Sequence, residues 1–129
     1  MAEPRVKQIQ LLLDVFCAQH PPVTAALVIH AEGLVMHACV HDAAVEQAVA
    51  ARSIAWLQAA EKLQQQVQGG RWTRLQLQGT HGQMLLLPCT DAVCLALLQR
   101  DSALSGRIAY HARLLAAAVT EHLRGEHSV

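Results

Sequence analysis

The stretch "VTAALVIHAEGLVMHACVH", residues 23–41, decides how the rest of the chain is read. "VTAALVIH" is an unbroken apolar run rich in β-branched residues, the composition of a strand covered on both faces. "HAEG" then puts Gly33 where a short hairpin loop wants a positive φ, which glycine adopts without steric cost. "LVMHACV" returns as a second strand, and it alternates: Leu34, Met36, Ala38 and Val40 against Val35, His37, Cys39 and His41. The segment predicts a tight hairpin whose first strand is interior and whose second is only half covered.

The same alternation gathers His37, Cys39 and His41 on one strand face, a candidate metal site. Same-face neighbours on a strand stand roughly 6–7 Å apart, whereas zinc holds its nitrogen and sulfur ligands at about 2.0–2.3 Å. All three side chains reach one ion only if the strand bends or bulges, with His30 across the hairpin as a fourth ligand. Closed zinc sites also pair their ligands at spacings such as C-x2–4-C, which are missing here. The sequence therefore predicts a partly solvated edge face with no required metal.

Working outward, Val6, Ile9, Leu12, Leu13 and Phe16 follow the i, i+3, i+4, i+7 spacing of an amphipathic helix over residues 5–19. His20-Pro21-Pro22 ends it, because proline pushes its predecessor out of the α region. After the hairpin, Asp42 offers an N-cap for a long helix that runs to about Val67 and stops at Gly69-Gly70. Three strands follow: "RWTRLQLQ" (71–78), "QMLLLP" (83–88) and "AVCLALLQ" (92–99). Asp101-Ser102 caps a last helix ending near Arg124, with Gly125 as its stop. The predicted order is αββαβββα, with no linker or internal repeat to divide residues 1–129 into more than one domain.

Burial constrains the sheet. "VTAALVI", "MLLL" and "AVCLALL" are apolar on both faces and belong inside, whereas "RWTRLQLQ" and "LVMHACVH" alternate and belong at opposite edges. The expectation is an α/β (α+β) fold: a five-stranded antiparallel sheet of order 2-1-5-4-3. The long middle helix covers one face and the two terminal helices the other.

The middle helix carries two stripes. Val45, Val49, Trp56, Leu63 and Val67 form a bulky one, expected on the sheet. Ala44, Ala48, Ala51, Ala55 and Ala59 form a smooth one that would let another helix approach closely. Alanine is also simply the best helix former on a solvent face. An uncovered edge strand beside it favours self-association, since exposed edges otherwise invite uncontrolled pairing. Arg71, Trp72 and Arg74 on that edge and Arg52 on the helix are candidate anchors, because Trp and Arg join large contact area to directed donors. The expected homodimer pairs two "RWTRLQLQ" edges antiparallel, with the alanine stripes meeting beside them.

Several function classes find no support. Ten basic and ten acidic residues cancel, so the chain has no net electrostatic footprint for nucleic acid or anionic membrane. No run approaches the roughly 20 apolar residues of a membrane span, and the opening residues read as helix rather than secretory signal. The four cysteines include no CxxC, which fits reduced thiols in a cytoplasmic protein. "GTHG" lacks the lysine and long cradle of a P-loop, and no G-x-S-x-G nucleophile turn occurs. Cys89 and Cys94 flank a hairpin turn as small apolar groups. Neither catalysis nor a cofactor is expected.

With these elements in order, the chain resembles the Roadblock/dynein light chain domain, in the bacterial branch that accompanies small Ras-like GTPases. "VTAALVIHAEGLVMHA" resembles the family's first hairpin and "AAEKLQQQVQGG" the end of its long helix. "LQLQGTHGQMLLLPC" resembles its third and fourth strands, and "LLQRDSALSGRIAYHARLLA" its closing strand and helix. His30 stands where the family often has an acidic residue, and Ser105 precedes Gly106 where a leucine–glycine pair is usual. The resemblance implies a non-enzymatic homodimer that binds a small Ras-like GTPase. It further implies either stimulation of hydrolysis by reorganising the GTPase's own switch loops, or a scaffold role in a signalling or motility complex.

Overall fold

The computed structural model describes the backbone of residues 3–40, 43–100 and 106–127, and the side chains of 7–40, 45–100 and 106–125. Its elements run α1 (Glu3–Gln19), β1 (Val23–His30), β2 (Val35–Val40), α2 (Ala43–Gln66), β3 (Leu75–Gln78), β4 (Gln83–Pro88), β5 (Val93–Gln99) and α3 (Gly106–His127). The strands form one antiparallel sheet of order β2-β1-β5-β4-β3, as the burial pattern predicts. The caps expected at Asp42 and Asp101-Ser102 lie outside the described residues, as does His41.

Local chemistry sets the element ends. The His20 N–H closes α1 on the Phe16 carbonyl at 3.1 Å, and Val23 turns back on the His20 carbonyl at 2.9 Å. Between them the two prolines have no N–H to continue the helix. In the first hairpin Gly33 adopts φ 92°, and its N–H reaches the His30 carbonyl at 2.8 Å. At the end of α2 the left-handed residue is Gln68 (φ 55°), not a glycine. Gly69 N–H bonds the Gln64 carbonyl at 2.8 Å and Gln68 N–H the Gln65 carbonyl at 3.3 Å, the two bonds of a Schellman cap. Gly125, expected as a stop, is passed over: α3 continues to His127. A glycine inside a helix costs only about 1 kcal/mol and does not by itself end one.

Two apolar layers sandwich the sheet. Ile9, Leu13 and Phe16 of α1 and Ile108, Ala112, Leu115, Val119 and Leu123 of α3 pack on Ala26, Val28, Leu85, Leu87, Leu95 and Leu97. The opposite layer sets Val49 and Ala50 of α2 on Ala25, Leu27, Ile29, Leu86 and Ala96. Consecutive β1 residues thus feed different layers, which is why the run is apolar throughout.

Two departures follow from register. β1 and β2 pair Ile29↔Val35 but Val28↔His37, so Met36 is an extra residue, a β-bulge. The bulge moves Val35 to the α2 side with Ala38 and Val40, while Cys39 packs on the α1–α3 side. The strict alternation read from the sequence breaks there. The predicted strand 71–78 also shrinks to Leu75–Gln78, leaving Arg71, Trp72 and Arg74 ahead of it. Its register, Leu75↔Leu86, would next require Thr73 opposite Pro88, and proline cannot donate to the ladder.

Candidate interaction surface

α2 has 24 residues, a length of about 36 Å, while the longest strand, β1, has 8 residues and spans only about 27 Å. The helix must therefore overhang. It rests mainly on β1 and β2 and buries Val49, Ala50, Ser53 and Leu57. Small residues at 50 and 53 let it sit close to the sheet. The bulky stripe expected on the sheet is turned onto one flank instead, where Val49 is buried and Trp56 half-buried. Its remaining members are exposed: Leu63 by 59% and Val67 by 62%, with Val45 less so.

Ala48, Ala51, Arg52, Ala55 and Ala59 are all exposed. At 100° per residue the alanines lie opposite the buried face, so the stripe is available to a partner. The side chain of Ala44 lies outside the described residues. Arg71 and Asp91 form an exposed ion pair at 3.2 Å, and Arg74 donates to Gln76 Oε1 at 3.0 Å. Trp72 is half-buried against the α2-side layer. Arg71 and Trp72 also line a groove of about 820 Å³ with Glu61, Pro88, Asp91 and Arg124, between the overhanging end of α2 and the 88–91 turn. The structure thus brings Arg71 and Trp72 together and leaves Arg74 and Arg52 apart from them.

The sheet itself supplies what the sequence reading missed. Because α2 rests mainly on β1 and β2, one end of the α2-side face of β3, β4 and β5 is thinly covered: Leu75, Met84 and Leu98 are only partly buried and Leu77 is 62% exposed, whereas Leu86 and Ala96 beside them are buried. The two sheet edges also differ. On β2, Gln10 Nε2 of α1 donates to the Ala38 carbonyl at 2.8 Å, which occupies that edge. On β3, Gln76 Nε2 instead donates to a side chain, Gln83 Oε1, at 2.9 Å. The length mismatch between helix and sheet was a signal available in the sequence.

Burial pushes the Cys89 thiol up to about 12 and the Cys94 thiol up to about 11, so both stay protonated packing groups. Among the described residues no three His, Cys, Asp or Glu side chains converge to hold a metal ion. No helix there is long and apolar enough to cross a membrane.

Comparison with known proteins agrees with this architecture. The sequence model of the Roadblock/LC7 domain matches residues 9–99. No curated protein matches the chain. Among solved structures, the Roadblock/LC7 domain from Streptomyces avermitilis is similar at TM-score 0.81 and 18% identity, over 89% of this chain and 97% of that one. Myxococcus xanthus MglB is similar at TM-score 0.84 and 9% identity, over 93% and 90%. The gliding protein MglB from Thermus thermophilus reaches 0.82 at 15% identity, over 97% and 93%. With the order 2-1-5-4-3, one long helix on one face and two terminal helices on the other, this chain belongs to the Roadblock/LC7 domain family.

Proposed function

We propose that this chain is a non-enzymatic homodimeric regulator that binds a small Ras-like GTPase in the cytoplasm. One observation carries the dimer: α2 rests mainly on β1 and β2 and overhangs with Leu63 and Val67 in water, while Leu77 on the same face of the sheet is bare. A second copy, related by a two-fold axis, lays its own α2 across that bare end and pairs β3 with β3. The Val45–Leu63–Val67 flank then meets its symmetry mate, and the alanine stripe, turned away from the sheet, lets the two helices close at their outer edges. The GTPase reading rests on the family resemblance, and the dimer leaves a broad helical surface to receive such a partner.

The regulator contributes no catalytic side chain. Arginine insertion in trans can raise GTP hydrolysis by roughly 10³–10⁵-fold, so Arg52, Arg71 and Arg74 are the groups to test. Single-turnover hydrolysis by the bound GTPase is measured with wild-type protein and with each arginine changed to alanine. Stimulation that survives all three substitutions, with modest loss of binding, is the expected result and indicates reorganised switch loops. A loss of about three orders of magnitude from one substitution, with binding intact, means an arginine finger and refutes the mechanism. Binding without any stimulation favours the scaffold reading. Failure to bind either nucleotide state removes the GTPase as partner.

A further inference from the structure

The histidine-rich strand holds one reactive group that neither dimerisation nor GTPase binding uses. Cys39 on β2 and Cys17 on α1 are both half-buried free thiols packed on the same apolar layer. α1 packs directly on β2, and the Cys39 side chain acts directly on that of Cys17, so the two are neighbours across the α1–β2 contact. That contact is fixed nearby by the Gln10–Ala38 bond, while the cross-strand neighbour of Cys39 is the small Ala26. We propose that Cys17 and Cys39 are a thiol modification site, oxidised by hydroperoxides to an intramolecular disulfide that ties α1 to the edge strand.

Their environments give the two sulfurs different parts. Burial pushes the Cys17 thiol up to about 12, and the adjoining Cys39 sulfur and the Asp14 carboxylate add to the rise. Cys17 is thereby held as the thiol, which leaves Cys39, on the edge strand β2, as the sulfur assigned the first attack. Its thiolate attacks the peroxide O–O bond, taking one oxygen as a sulfenic acid and releasing hydroxide (water once protonated). The Cys17 sulfur then displaces that oxygen, forming the S–S bond while the hydroxyl leaves with the thiol proton as water. Two thiols and one hydrogen peroxide give one disulfide and two waters. Cys89 and Cys94 are buried, and the reaction leaves them reduced. His37 shares the Cys39 side of the strand.

The test uses the folded protein treated with hydrogen peroxide, then alkylated after unfolding and digested at glutamate. No lysine or arginine lies between Lys7 and Arg52, whereas Glu32 separates the two cysteines. The expected product is a disulfide-linked pair of peptides, 4–32 and 33–46, that reductant separates. Titratable thiols in the monomeric chain fall from four to two. Both changes vanish in Cys17→Ser and in Cys39→Ser. The same oxidation in denaturant, which requires no folded variant, should spread linkage over all four cysteines. Four free thiols after peroxide, linkage to Cys89 or Cys94 in the folded protein, or only disulfides between chains would each overturn the assignment.

Discussion

Ser53 lies on the inner face of α2, fully enclosed, and its hydroxyl has no hydrogen-bond partner among the described residues. An unpaired buried hydroxyl costs more than the small volume it fills returns. Ser53→Ala should therefore raise stability by about 1 kcal/mol, read as a higher urea midpoint at unchanged slope. A loss of similar size would mean that the hydroxyl is paired after all. At the end of α1, His20 Nε2 and His111 Nδ1 share a hydrogen bond at 3.0 Å, and the Phe16 ring lies 4.6 Å from the His20 ring. Burial, helped by His111 and Arg107, lowers His20 from its usual 6.5. The unfolded chain then takes up the proton more readily than the folded one. The contribution of His20 is thus complete above about pH 6.5 and is lost as pH falls below it. Melting temperature should drop between about pH 7.5 and 5, and His20→Gln should shrink that drop. Equal drops in both proteins would assign the effect to other histidines. Neither arrangement was legible in the sequence, because a pairing across 91 positions leaves no local pattern.

At the scale of elements, apolar period and turn residues placed all eight segments, although β3 is shorter than read and α3 runs past Gly125. What escaped was whatever depends on a neighbour. Met36 became a bulge through pairing with β1, and Arg71–Arg74 fell out of β3 because its partner strand ends in Pro88. The bulky stripe of α2 went to a flank because Ala50 and Ser53, small and central, meet the sheet better. The alanine stripe is the element that tests the proposed packing most selectively. Ala51→Glu together with Ala55→Glu leaves the monomer core untouched, since both positions are exposed. In the dimer the pair would set like charges against their symmetry mates, an arrangement that dissociates it. Unchanged association would make the stripe a solvent face, rich in alanine only for helix propensity.

For the whole molecule, the sheet order and the division of helices between its faces follow from which strands are apolar on both sides. The candidate surface was legible in part. Small residues and an uncovered edge pointed to self-association, but Leu77, Met84 and Leu98 emerged only once α2 was seen to rest mainly on β1 and β2. The proposed dimer rests on that partly covered face, and the mass in solution is its plainest test. Sedimentation equilibrium across the micromolar range should give twice the chain mass of 14.0 kDa. The Leu63→Gln, Val67→Gln double variant should shift toward the single chain, with its helix content intact. A wild-type protein that stays at 14.0 kDa throughout would overturn the dimer and leave the face without a second copy to cover it.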